Sequence, residues 1–189
     1  MRTDRLFGFQ PTDETYRQRL LELCEQCADL KMETSEAIEA LTPEIERLGY
    51  ALNLNGAIDE WNSWEHLNSL LNEYAIMRDN AEDWDSREIT ADVFPAFQLR
   101  QTVPYKYDDA RNWIERFVAA AQSVNWEGCS KIGCVALKTS PVWEALGNGV
   151  GGYEDWLGNP FPPFAFASNV SVSLVKAEEL HTYGLKTDR

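Results

Sequence analysis

Apolar side chains recur at steps of three and four through the first half of the chain, the spacing that lines one face of a helix. Tyr16, Leu20, Leu23, Cys24, Cys27 and Leu30 form the first such stripe, with Thr12 or Asp13 placed to cap its start. Thr42-Pro43 reads as the opening of a second helix, a side-chain oxygen followed by a proline that needs no amide hydrogen, with Ile45 and Leu48 on its buried side. Ser35 to Leu41 is left open between an extension of the first helix and a turn of its own. After the turn signal Asn55-Gly56, a third stripe of Ile58, Trp61, Trp64, Leu67, Leu71 and Tyr74 predicts a helix ending near Arg78. Asp79 to Asp92, with Arg78 at its edge, holds Glu82, Asp83, Asp85, Arg87 and Glu88 and reads as an exposed linker or loop.

The second half has a different texture. Asp108 or Asp109 would cap a helix whose apolar face is Trp113, Phe117, Ala120, Ala121 and Val124 and which stops before Trp126-Glu127-Gly128. Cys134 to Leu137 reads as a strand with Lys138 at its end, and Ser140-Pro141 opens a short helix, Val142 to Leu146, closed by Gly147. A long Gly/Pro/aromatic loop runs from Gly147 to Asn169. Val170 to Leu174 alternates like an edge strand, and Lys176 to Tyr183 forms a small helix ending at Gly184. The expectation is an α+β protein with N-terminal helices over residues 1–90, then a helix and a small irregular β-sheet over residues 91–189, joined as one compact unit.

Composition narrows the function. In 189 residues, 17 Lys plus Arg against 31 Asp plus Glu give a net charge of −14. Such a surface repels phosphates and argues against direct nucleic-acid binding. The 44% apolar and 12% aromatic content is ample for a core, so the chain is no disordered acidic tail. The opening MRTDRLFGFQPTDE has no apolar stretch of the secretory kind and no segment is long enough to span a membrane, which predicts a cytoplasmic protein without membrane partners.

No motif marks a reaction. Gly147, Gly149 and Gly152 carry the letters of a phosphate cradle, but a helix precedes them where a strand is needed, and Glu154-Asp155 follows where a phosphate would sit. A turn supplying positive φ accounts for the glycines. Cys24-x-x-Cys27 and Cys129-x4-Cys134 could in principle form a four-thiolate zinc site, yet the first pair projects from mid-helix and the second spacing is loose, so buried thiols are the better reading. The acidic clusters at Glu82-Asp83-Trp84-Asp85 and Glu154-Asp155 lack a calcium-binding loop and read as solvated faces. His66 and His181 have no nucleophile motif beside them. The expectation is no catalytic residue, no cofactor and no metal.

Tyr153, Trp156, Phe161, Pro162, Pro163, Phe164 and Phe166 crowd one loop. They can fold back to roof the protein's own core, or present aromatics to another chain. A resemblance bears on that choice. Phe94-Pro95-Ala96-Phe97-Gln98-Leu99-Arg100, Asp109-Ala110-Arg111-Asn112-Trp113, Val135 to Gly147, Asn159-Pro160-Phe161-Pro162-Pro163-Phe164-Ala165-Phe166 and the closing Val175, Glu178, Glu179, Gly184 and Leu185 together resemble the C-terminal region of tailed-phage structural proteins of the minor-head or head-morphogenesis kind. The match spans about residues 94–185. It departs from the Mu-type head proteins in lacking their closing Cys-x-Cys, and residues before 90 match nothing in the family.

The resemblance implies a virion or assembly subunit, made in the host cytoplasm and carried into the particle, whose partners are capsid or other virion proteins or a second copy of itself. In that setting Trp143, Tyr153, Trp156, Phe161, Pro162, Pro163, Phe164 and Phe166 become interface candidates, with Trp156, Phe161, Phe164 and Phe166 filling a neighbour's groove. The alternative is a small acidic binding module, an immunity protein or inhibitor, that recognises a basic protein by charge.

Overall fold

The computed structural model describes residues 3–7, 13–52, 64–101, 112–166 and 168–186. Asn55-Gly56, Ile58, Trp61 and the Asp108-Asp109 cap lie outside the described residues. The architecture is α+β, with six helices and one three-stranded antiparallel sheet among the described residues. The described residues divide into two compact units, one within Thr3–Arg78 and one within Asp79–Arg189. The division thus falls within a helix, ahead of the charged stretch after which it was expected.

The N-terminal unit is built from α1 (Thr3–Leu6), α2 (Glu14–Ala28), α3 (Thr34–Leu52) and the first turns of α4 (Trp64–Asp85). Asp13 caps α2, its carboxylate accepting from the Tyr16 amide at 2.8 Å. Tyr16, Leu20, Leu23 and Cys24 are fully buried, as their spacing predicts. Leu30 does not continue that stripe. It sits one residue past the C-cap with φ 57°, where the Leu30 amide donates to the Cys27 carbonyl and the Lys31 amide to the Gln26 carbonyl. This is the left-handed helix stop that glycine usually occupies, and it turns the leucine out to 93% exposure. Arg78 closes the same helix end, donating to the Asp29 carboxylate and the Ala28 carbonyl, each at 2.6 Å.

Thr42-Pro43 does not begin a helix. Helix α3 starts at Thr34, where the Glu36 carboxylate accepts from the Glu33 amide, and runs through Pro43. Thr42 turns its hydroxyl back to the Ile38 carbonyl at 3.1 Å. The buried positions Ala37, Ile38, Leu41, Ile45 and Leu48 form one continuous stripe, and its burial outweighs the one backbone bond that proline removes.

Burial raises the Cys24 thiol well above its ordinary value near 9, helped by Cys27 and Glu25, and burial likewise raises the Tyr16 hydroxyl. Both groups stay neutral in the folded state at pH values where an unfolded chain ionises them. Their contribution is therefore complete below the unfolded values and is lost as pH rises beyond them, by about 1.4 kcal/mol per pH unit for each group. Urea titrations followed by far-UV circular dichroism should give a midpoint that falls from about pH 9 upward, and more gently in Cys24→Ala.

In the C-terminal unit, the stretch from Asp79 to Asp92 is no linker. Helix α4 continues to Asp85 and is followed by turns to Val93. Trp84 turns inward onto Phe97 at 5.6 Å, and the Lys138 ammonium donates to the Arg87 carbonyl at 2.9 Å and the Thr90 hydroxyl at 2.7 Å. A run of charges hides one half-buried tryptophan packed against the core and a lysine tether.

The sheet is formed by β1 (Ala96–Gln101), β2 (Val135–Leu137) and β3 (Val170–Val175) in the order β2-β1-β3. Its central strand, β1, went unread as a strand. Phe97 faces Ala136 on one side and Leu174 on the other. Helices α5 (Trp113–Ser123) and α6 (Val142–Gly147) contribute to the larger core, which gathers Phe97, Leu99, Trp113, Phe117, Trp143 and Phe164. Asn112 caps α5 by accepting from the Glu115 amide at 3.2 Å. A second cluster joins Ala96, Val135 and Val175 to Leu180 and Leu185, the first of these two on a 3₁₀ helix, Ala177–Tyr183, which Gly184 closes at φ 67°.

Candidate functional site

The predicted aromatic set falls into two groups. Trp143, Phe161, Pro162, Pro163 and Phe164 are buried, whereas Tyr153, Trp156 and Phe166 are half-buried. Trp143 is the hub. Phe97 and Phe117 meet its indole edge-on at 6.0 and 5.9 Å, Phe164 stacks on it at 6.3 Å, and its Nε1–H donates to the Leu137 carbonyl at 2.9 Å. Phe161 lies 6.3 Å from Trp84. Trp143 is the centre of the protein's own core and the four inward loop residues roof it, which corrects the expectation that these five are presented to a neighbour: the sheet and the two helices leave an apolar surface that the loop itself covers.

The loop is held by its backbone. The Gly158 amide donates to the Gly147 carbonyl and the Leu157 amide to the Phe164 carbonyl, both at 2.9 Å, and the Asn80 side chain donates to the Pro162 carbonyl at 2.8 Å. Asp155 is no member of a solvated acidic pair. It receives both terminal nitrogens of Arg116, at 2.8 and 3.0 Å, and the guanidinium lies 4.7 Å over Trp113 and 4.3 Å over Tyr153. A planar cation between two rings, fixed by a two-point carboxylate, pins Tyr153 and its loop to α5. The signal in the sequence was an arginine sitting on the apolar stripe of α5, between Trp113 and Phe117.

Comparison with known proteins finds no family. No family model matches the chain, and no curated protein or solved structure is significantly similar to it.

A cleft of about 590 Å³ lies between the end of α4 and the start of α6, lined in part by Trp84, Arg87, Lys138, Ser140, Glu144 and Pro160. Its chemistry is that of a joint. The Ser140 hydroxyl donates to the Glu127 carbonyl at 2.6 Å, receives the Val142 amide at 3.3 Å, and lies 3.2 Å from the Cys129 sulfur. Burial pushes the Cys129 thiol up, opposite to the direction that activates a nucleophile. Burial and the neighbouring Arg87 push Lys138 down from its ordinary value, but its ammonium is engaged by a carbonyl and a hydroxyl rather than poised beside an acid.

The four cysteines are free thiols, Cys24 and Cys129 buried and Cys27 and Cys134 half-buried. Among the described residues no group of three or more His, Cys, Asp or Glu side chains could hold a metal ion, and no helix is long and apolar enough to cross a membrane. His181 is exposed, its ring nitrogen 2.6 Å from the Glu178 carbonyl, and His66 lies in α4. Gly149, Gly151 and Gly152 take positive φ in the turn after α6, while Gly147 does not.

Proposed function

We propose that this chain is a structural or assembly subunit of tailed-phage or prophage particles, a minor head, neck or capsid-associated protein that acts through protein contacts. The observation that supports this reading is convergence. The separate segments that carry the resemblance contribute Phe97, Trp113, Trp143 and Phe164 to one core and Val175 and Leu185 to the cluster on the neighbouring strands. Short pieces that mean little singly are parts of one folded unit.

The contact set of this reading narrows to the half-buried Tyr153, Trp156 and Phe166, displayed on a loop that Arg116 and Asp155 hold in shape. A loop already fixed loses little entropy on docking. The charge of −14 keeps free subunits soluble and away from the genome. The alternative, an acidic inhibitor of a basic protein, would require the charge itself to be recognised.

The test is to induce tailed particles from the genome that encodes this chain, purify them on a density gradient and look for the chain by mass spectrometry. Stoichiometric presence in particles supports the proposal. Its absence from intact particles, or a toxin gene directly adjacent whose product binds this chain with an association rate that collapses as salt rises, would sink it.

A further inference from the structure

The two sides of the sheet end differently. Beyond β2, the Ser130 amide donates to the Val135 carbonyl at 2.7 Å and the Leu137 amide to the Gly128 carbonyl at 2.8 Å, so residues 128–130 cover that edge. Beyond β3 the pattern differs. The Leu99 amide reaches the Cys134 carbonyl and the Lys138 amide the Pro95 carbonyl, which turns odd-numbered backbone groups of β1 toward β2 and even-numbered ones toward β3. With Ala96 opposite Val175, Gln98 opposite Ser173 and Arg100 opposite Ser171, the strand's odd-numbered residues bond inward. Val170, Val172 and Leu174 therefore direct N–H and C=O outward, and among the described residues no hydrogen bond meets those of Val172 or Leu174.

Natural edges of this kind are usually guarded by a charge, a proline or a bulge. The strand Val170-Ser171-Val172-Ser173-Leu174-Val175 has no charged residue and no proline, and its register with β1 is unbroken over all six residues. Leu174 is 52% exposed.

We propose that β3 is a self-association edge, on which a second copy of this chain adds its own β3 antiparallel. The register identifies the partner. Placing Val172 opposite its counterpart sets Val170 opposite Leu174 in both directions, so every outward group meets one from the other copy in about six interchain hydrogen bonds. Ser171 then faces Ser173, Leu174 packs on valine, and no like charges oppose each other along the ladder. For a chain of net charge −14, an uncharged strand is where two copies can approach closely. The arrangement is two-fold and closed: each copy uses up its open edge, and the covered β2 edge stops further addition, so it ends at a dimer. The inference stands on the sheet alone and holds or fails whatever the particle proposal does.

One strand pair buries far less area than a stable interface, so dissociation in dilute solution is expected on the order of 0.1–1 mM. Avidity would strengthen it wherever copies are held together. The test is sedimentation and amide hydrogen exchange of the full chain from about 10 µM to about 1 mM. Wild type should shift from monomer toward dimer, with the Val170, Val172 and Leu174 amides gaining protection only at high concentration. Leu174→Pro removes an outward N–H without removing a bond to β1, and Leu174→Lys adds the missing guard charge; both should remain monomeric while folded. If Leu174→Pro unfolds, Leu174→Lys decides. A wild type that stays monomeric throughout, including one that pairs only with a foreign extended peptide, overturns the proposal, as does dimerisation that both variants leave unchanged.

Discussion

Trp143→Ala should leave the C-terminal unit without a fixed core, lowering its unfolding free energy by about 3–5 kcal/mol. The indole is fully buried, meets aromatic rings from β1, α4, α5 and the loop, and its Nε1–H is bonded to the Leu137 carbonyl. Removing it opens a cavity that four other rings can fill only by leaving their own places, and takes one of two hydrogen bonds from the Leu137 carbonyl, which keeps the Ser140 amide. Against a total of about 5–15 kcal/mol for an ordinary domain, that loss is a large share of the margin. Near-UV circular dichroism should lose its aromatic bands while far-UV helical signal persists, and the urea midpoint should drop sharply. Trp143→Phe should recover most of the packing but not the hydrogen bond. Near-wild-type stability in Trp143→Ala would mean that the loop does not depend on this hub.

The second large effect is expected at Gly147. Its φ is not positive, so the constraint there is space rather than conformation. A Cβ built on Gly147 would overlap the backbone carbonyl of Asn159, which the returning loop lays across the end of α6. Backbone cannot step aside as a flexible side chain can. Gly147→Ala should therefore cost about 3 kcal/mol or more and release the stretch from 157 to 161 to proteolysis. Gly152 is the control: its φ of 91° strains any L-residue, but nothing lies within 4 Å of a Cβ there. Gly152→Ala should cost only about 1 kcal/mol. Equal losses at the two sites would refute the steric account.

What the sequence revealed follows from how local each signal is. The Trp113, Phe117, Ala120 and Ala121 stripe was legible because a helix writes its buried face into consecutive turns. Thr42-Pro43 misled because a cap signature describes three residues, whereas Ala37, Ile38 and Leu41 upstream decide where α3 begins. The charged run after Arg78 hid Trp84 because one inward-turned tryptophan makes no period. Strand β1 was missed for the same reason: Phe97 and Leu99 are its only large apolar residues, and its partners lie far along the chain. The aromatic loop was legible as a feature but not as to direction, since rings that roof a core and rings that seek a partner have the same composition. Arg116, paired to a distant aspartate, decides that only in three dimensions.

The strand order carries a consequence for timing. Neither pairing in the sheet is a hairpin: β1 waits for β2 across the 33 residues 102–134 and for β3 across the 68 residues 102–169, and that closure entropy must be met before any ladder bond forms. Helices α5 and α6, by contrast, can form from their own neighbourhoods. Folding of this unit should thus proceed from a helical, aromatic-rich intermediate stage in which β1 is still bare, to a late step that seats β3. During that interval the central strand has two unsatisfied sides rather than none, and the most vulnerable moment in the life of the chain is before its last strand docks.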